Sequence, residues 1–115
     1  MKNKLSNKER LGHILDAIAF IERALISVDE DQFQNDFILY TAVVKWFEII
    51  GEASYHLTKE FKKNNEEVEW IAIEGLRHIL VHEYFGIDLY KVWELYKNQL
   101  EDLKIKITKL YKEIE

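Results

Sequence analysis

Apolar residues near the start of the chain recur every three or four positions, which is the spacing of an amphipathic helix. Ser6 and Glu9 form an S-x-x-E capping box ahead of this pattern, and the pattern ends near Ser27. The predicted apolar face of this first helix comprises Leu11, Ile14, Leu15, Ile18, Ile21 and Leu25. The acidic stretch SVDEDQFQND follows, and it predicts a turn or a short helix.

A second apolar face predicts a long helix that runs to Phe61 and is closed by the charged run KKNNEE. The face comprises Phe37, Tyr40, Val44, Phe47, Ile50, Ser54, Leu57 and Phe61. Gly51 lies inside this helix, where glycine costs roughly 1 kcal/mol relative to alanine. We therefore expect another helix or backbone to approach Gly51 closely.

The third helix is predicted to begin around Val68 or Trp70 and to end at Gly86, which suits a left-handed C-terminal position. Asp88 can then cap a fourth helix, predicted as one continuous element of about seven turns. Its apolar face comprises Leu89, Val92, Trp93, Tyr96, Leu100, Leu103, Ile107, Leu110 and Ile114.

Composition agrees with this pattern. The chain has no proline and four glycines among 115 residues, so signals for hairpins and irregular loops are nearly missing. We predict an all-α fold, a four-helix, mainly antiparallel up-down bundle with room for an extra short helix, as one domain over residues 1–115.

The chain lacks cysteine, a signal-peptide pattern and a membrane-spanning apolar run, so we expect a cytoplasmic protein without a membrane partner.

Charge limits the possible partners. Sixteen Lys and Arg residues against 21 Asp and Glu give a formal net charge of -5, which argues against broad attraction to a phosphate backbone. A nucleic-acid role would need a local basic site. Aromatic residues make up 13% of the chain, more than a thin bundle needs in its interior, which indicates an interface.

The segment GLRHILVHEYFG carries the candidate chemistry. His82 can take a proton from a ribose 2′-hydroxyl, and Arg77 can hold phosphate oxygens and stabilise charge in the transition state. Tyr84 can donate to a phosphate oxygen or stack on a base. These residues would suit metal-independent RNA cleavage, but Arg77 and His82 lie roughly 140° apart on an ideal helix. They converge only if the helix loosens near His82 or the arginine reaches around it.

Other interpretations of the same residues stay open. An arginine on an apolar helix is commonly an ion-pair partner, here of Glu52 or Glu74, and Glu52, half-buried by pattern, is either a flanking residue or a group that orients Arg77. His78 and His82 have the i, i+4 spacing of a zinc-binding pair, but the glutamate follows the pair instead of lying inside it. We therefore expect no metal and no cofactor. His13 and His56 are expected at the surface, and KEFKKNNEE as a solvated helix end.

The residues resemble the HepT-like toxins, within the HEPN group of small helical ribonucleases. Arg77, HILV, His82, Glu83 and Tyr84 match the family motif R-x4-H-x-Y. The segment WFEIIGEASYHL resembles the family's I-G-E-A segment, and VEWIAIEGLRHILVHEYFGIDLYKVWEL is similar to its ordered pattern from Trp70 through Trp93. The resemblance covers nearly the whole chain.

The resemblance implies a toxin of a type II toxin-antitoxin system, a metal-independent endoribonuclease with Arg77 and His82 as its catalytic pair. His78 holds a position where relatives often have asparagine, and it would bind phosphate or position the RNA. Tyr84 matches a tyrosine that a partner antitoxin of the minimal nucleotidyltransferase (MNT) type modifies with AMP. The family implies a homodimer with the two motifs facing each other across a cleft.

Two alternatives belong to other classes of protein. The first is a non-catalytic subunit that binds a substrate or nucleotide for a minimal nucleotidyltransferase. The second is a structural dimer without a ligand, in which the polar side chains of RHILVHEY are buried and satisfied by Glu52 and Glu74. Possession of Arg77, His82 and Tyr84 favours the ribonuclease.

Overall fold

Helices form all the regular structure in residues 5–78 and 86–114, the part of the chain that the computed structural model describes. The prediction of an all-α fold is confirmed. The α-helices there are α1 (Asn7–Leu25), α2 (Glu30–Asn35), α3 (Phe37–Tyr55), α4 (Lys59–Lys63), α5 (Trp70–Glu74), α6 (Leu89–Asn98) and α7 (Leu100–Glu113), and a 3-10 helix (Gly75–His78) follows α5. None of these helices is both long and apolar enough to cross a membrane.

The start of α1 is fixed by the predicted capping box. The Ser6 hydroxyl accepts a hydrogen bond from the Glu9 backbone at 3.0 Å, and the Ser6 backbone donates to the Glu9 carboxylate at 2.8 Å. These hydrogen bonds lower the pKa of the Glu9 carboxyl, the backbone bond from Ser6 contributing most and the Ser6 side-chain bond next. The helix ends at Leu25, close to the predicted end.

The hydrophobic core lies where α1, α3 and α7 meet, because α1 packs against both of the other helices. The short acidic segment between α1 and α3 forms the helix α2, and this helix inserts the fully buried Phe33 into the core against Trp93 of α6. The largest fully buried side chains are Phe33, Phe47, Leu11, Ile14, Ile18, Ile21, Leu25, Ile50 and Ile107.

The second long helix ends at Tyr55, so the prediction that it continues to Phe61 was wrong. Asn7, at the start of α1, ends it through a pair of contacts with Thr58. The Thr58 backbone donates to the Asn7 side-chain oxygen at 3.1 Å, and the Asn7 amide donates to the Thr58 hydroxyl at 3.1 Å. That hydroxyl also caps α4 by accepting from the Phe61 backbone at 3.2 Å.

The predicted fourth helix is two helices, α6 and α7, separated at Gln99, whose φ of -129° departs from helical geometry. The break has a packing reason, since α6 contacts α2 whereas α7 contacts α1. Asp88 caps α6 as predicted, accepting from the Lys91 backbone at 3.1 Å. Gly86 does not have a positive φ. The prediction of a left-handed conformation at Gly86 was therefore wrong.

Candidate active site

Arg77 and His78 lie on the 3-10 helix that follows α5. The third helix therefore already departs from α-helical geometry at Gly75, before Arg77, and the predicted loosening near His82 lies outside the described residues. A 3-10 helix has about three residues per turn, so Arg77 does not have the α-helical geometry that the prediction assumed. His82, Glu83 and Tyr84 lie outside the described residues, and the convergence of Arg77 with His82 stays a prediction.

The backbone of Arg77 lies directly against Gly51 of α3. A Cβ atom at position 51 would be 2.4 Å from the Arg77 nitrogen, 3.1 Å from its Cα and 3.0 Å from the carbonyl carbon of Leu76. No larger residue fits unless the two segments move apart. The prediction that a backbone approaches Gly51 closely is confirmed, and the segment that approaches is the one that carries the arginine.

The side chain of Arg77 lies over an aromatic ring of α3, the helix that carries Gly51. Its guanidinium carbon is 3.6 Å from the centroid of the Tyr55 ring, and Tyr55 follows Gly51 by one helical turn, on the same face of α3. Sequence reasoning missed Tyr55. The available signal was its i+4 spacing from a glycine already expected to contact another backbone.

His78 lies beside this stack. The Nε of Arg77 donates to Nε2 of His78 at 3.2 Å. An arginine can only donate, so Nε2 of His78 is the acceptor in this contact. Arg77 is half-buried and His78 is exposed. Two of the three predicted site residues that the structure describes, Arg77 and His78, are therefore in direct contact, and Glu52 is the third.

The two glutamates proposed as counter-ions of Arg77 both bind other partners. The Glu52 carboxylate is 2.8 Å from Nε2 of His56, four residues later and immediately after the end of α3. Its side chain is 57% exposed, so the expectation of a half-buried residue was wrong. Glu74 pairs with Lys62. Within residues 5–78 and 86–114, Arg77 has no carboxylate partner, and its charge is not neutralised by an ion pair there.

Lys62 joins three helices close to Tyr55 and Arg77. It lies on α4, pairs with Glu74 of α5, and donates to the backbone oxygens of Ser54 and Tyr55 at 3.2 and 3.4 Å. Its side chain is only 15% exposed. The prediction of a solvated helix end was therefore wrong for Lys62, although its neighbours Lys59 and Lys63 are exposed. Lys62 holds the end of α3 that carries Tyr55.

This arrangement can present a fixed positive charge to an anion. A guanidinium held over a ring face keeps N–H donors at its edge, where a fork of donors matches two oxygens of a phosphate group. Glu52 and His56 support the aromatic platform, since the His56 ring meets the Tyr55 ring edge to face, with centroids 5.2 Å apart. His13 is exposed on α1, as predicted.

Fold and site together define a small all-α protein in which Arg77, on a 3-10 helix, forms a cationic centre. The chain belongs to the HepT-like ribonuclease family, because the family model described as Ribonuclease HepT-like matches residues 14–110. The resemblance seen in the sequence is thereby confirmed. No solved structure matches the chain.

Several relatives carry names in the same class. A Methanocaldococcus jannaschii protein named "Gamma-glutamylcyclotransferase and putative RNase" is 37% identical over 105 residues, which are 91% of this chain and only 47% of that protein. A Thermococcus cleftensis protein named "Probable ribonuclease HepT" is 36% identical over 95% of this chain and 99% of its own length. A Caldanaerobacter subterraneus protein named "Putative RNase" is 34% identical over 87% of this chain and 89% of its own length.

Proposed function

We propose that this protein is a metal-independent endoribonuclease and the toxin of a type II toxin-antitoxin pair. The observation that carries the proposal is the state of Arg77. Its backbone is held against Gly51, its guanidinium is stacked on Tyr55, and no carboxylate among the described residues neutralises it. An arginine held in this way, five residues before His82 in a HepT-like chain, suits binding of the phosphate at a scissile bond.

In the proposed reaction His82 takes the proton of a ribose 2′-hydroxyl. The 2′-oxygen forms a bond to the adjacent phosphorus, the bond from phosphorus to the 5′-oxygen breaks, the leaving 5′-oxygen takes a proton from water, and His82 returns its proton to the solvent. The products are a 2′,3′-cyclic phosphate and a 5′-hydroxyl end. Arg77 stabilises the negative charge that builds up on the phosphate oxygens. His78 positions the phosphate or the RNA beside Arg77, and Glu52 supports the site indirectly through His56.

We further propose a homodimer and an MNT-type nucleotidyltransferase antitoxin. Two copies of Arg77 and His82 across a cleft would concentrate positive charge on an otherwise acidic protein. The exposed aromatic side chains Phe37 and Tyr90 offer area for an interface. An AMP group on Tyr84 would add bulk and negative charge two residues from His82, and would compete with RNA for the cationic centre.

Cleavage of RNA by the purified protein in EDTA tests the enzyme proposal. His82→Ala and Arg77→Ala should each lower the rate by about 10²-fold or more, because they remove a general base and a charge-stabilising donor respectively. Circular dichroism and gel filtration should show the same fold and oligomeric state for all variants. His13→Ala and Arg23→Ala, which change exposed residues of α1, are the matched controls and should cleave at the wild-type rate.

Each other outcome has a definite meaning. Equal cleavage by the wild type and both site variants would identify a contaminating nuclease and contradict the proposal. Absence of cleavage by the folded wild type would favour the non-catalytic, nucleotide-binding subunit. Loss of activity in EDTA with recovery on adding a divalent metal would instead support the metal-binding interpretation of His78 and His82.

A further inference from the structure

We propose that Tyr55 is a positioning residue for Arg77, and that its ring sets the orientation of the guanidinium which binds the scissile phosphate. The proposal rests on the proposed function for its effect on catalysis. The proposal has two halves. The structural half, that the Tyr55 ring holds the guanidinium in solution, does not depend on the proposed function, and the catalytic half is that this contact raises kcat. Nothing in the sequence motif R-x4-H-x-Y includes this residue, which lies 22 positions before the arginine on another helix.

The contact is close enough to fix the plane of the guanidinium. At 3.6 Å from the ring centroid, the guanidinium carbon lies at van der Waals distance over the ring face. Both groups are planar, so contact across their faces disfavours rotation of the guanidinium out of the stack. The N–H donors then remain at the edge of the stack, where a phosphate can reach them.

One face of α3 holds Arg77 at two points. Gly51 contacts the backbone nitrogen of Arg77, and Tyr55, four residues later on the same face, contacts the end of its side chain. With its backbone and its charged group both held by one helix, the long arginine side chain loses most of its rotamer freedom before RNA binds. Such preorganisation matters because a displacement of about 1 Å at a reacting centre can lower a rate 10²-fold.

The ring of Tyr55 is itself supported. Its edge packs against the His56 ring, which is paired with Glu52 at 2.8 Å, and the Tyr55 backbone oxygen accepts from Lys62. Its hydroxyl has no hydrogen-bond partner among the described residues. The ring face, and not the hydroxyl, therefore contacts Arg77. Phenylalanine should replace Tyr55 well, whereas leucine should not.

Cleavage kinetics of Tyr55→Phe and Tyr55→Leu test the catalytic half. We expect Tyr55→Phe to stay within threefold of the wild-type kcat, and Tyr55→Leu to lose about 10 to 10²-fold in kcat with a smaller change in KM. Phe20→Leu is the matched control and should keep wild-type kcat. Phe20 is 45% exposed, as against 46% for Tyr55, and its ring is stacked on Trp46 of α3, away from Arg77.

The Arg77→Lys background separates positioning from a general structural effect. Lysine keeps the charge but has no planar group to stack, so Tyr55→Leu should lower kcat less than threefold in this background. An equal loss in both backgrounds, an equal loss in Phe20→Leu, or an unchanged kcat in Tyr55→Leu would each overturn the catalytic half of the proposal.

NMR spectroscopy of the Arg77 side chain tests the structural half without any activity. The Hδ signals of Arg77, whose protons take no part in its hydrogen bond to His78, should be shifted upfield by the ring in the wild type and in Tyr55→Phe, and should return to their ordinary position in Tyr55→Leu. An unshifted signal in the folded wild type would overturn the proposal even if the protein cleaves RNA. A shifted signal in a protein that does not cleave RNA would support the contact and contradict the proposed function.

Discussion

Gly51 of α3 lies directly against the backbone of Arg77, in the segment that carries the candidate site. A glycine in the interior of a helix weakens that helix by roughly 1 kcal/mol relative to alanine. Here it allows the backbone nitrogen of Arg77 to approach to a distance that no Cβ atom would permit. The glycine weakens the helix locally, but without it Arg77 could not lie beside Tyr55.

We predict that Gly51→Ala destabilises the protein by about 1–3 kcal/mol, because an added methyl group forces the 3-10 segment away from α3. RNA cleavage should fall as well, since Arg77 moves with its backbone. Urea denaturation followed by circular dichroism measures the stability, and the cleavage assay in EDTA measures the activity.

Gly12→Ala is the matched control, because Gly12 also lies inside a long helix. A Cβ at position 12 would lie at an ordinary 3.5 Å from the ring of Tyr111, and the gain in helix propensity should leave the stability unchanged or raised by up to about 1 kcal/mol. Similar behaviour of the two variants would show that the contact between Gly51 and Arg77 does not constrain the fold.

Lys62 acts at the scale of the elements, because its ammonium group joins α3, α4 and α5. Each of α4 and α5 has five residues, too few to be stable as an isolated helix. Their positions therefore depend on tertiary contacts. The pair between Lys62 and Glu74 is only partly exposed, and the same ammonium group satisfies two carbonyl groups near the end of α3.

Replacement of Lys62 by methionine should lower the free energy of unfolding by about 1–3 kcal/mol, the usual cost of leaving a partly buried charged group without its partner. Thermal denaturation of Lys62→Met and Lys63→Met gives the comparison within a single helix. Lys63 is exposed, so Lys63→Met should stay within about 0.5 kcal/mol of the wild type. Equal stability of the two variants would refute the role given to Lys62.

At the scale of the whole molecule, the formal net charge of -5 restricts how RNA can bind. A protein with this balance repels an extended phosphate backbone except where cations such as Arg77 are held. Affinity for RNA should therefore come from few phosphate contacts, and it should depend only moderately on salt.

We predict that log Kd for a short single-stranded RNA changes with log salt by a slope of about 1–3 in magnitude, because each neutralised phosphate contributes roughly 0.7. Fluorescence anisotropy with the His82→Ala variant, between about 50 and 200 mM salt, measures this slope without cleavage. A slope of about 5 or more would show an extended basic tract that the composition argues against.

Much of this fold was predictable because its signals are local. Helix α1, its capping box, the short acidic helix and the cap at Asp88 each depend on residues within a turn or two of one another. The close approach at Gly51 could also be foreseen, since a glycine inside an otherwise regular helix needs a packing reason. The segment that contacts Gly51 could not be predicted, because the pattern of one helix does not specify which other backbone packs against it.

Periodicity and motif order are properties of the chain, so the all-α class, the main apolar faces and the membership of the HepT-like family could be read without a structure. Tertiary structure alone decided where α3 ends, why the last helix breaks at Gln99, and which partners Glu52 and Glu74 take. It also decided that Arg77 lies on Tyr55. Each of these features depends on groups far apart in the chain, whose meeting is set by the packing of the helices and not by local propensity.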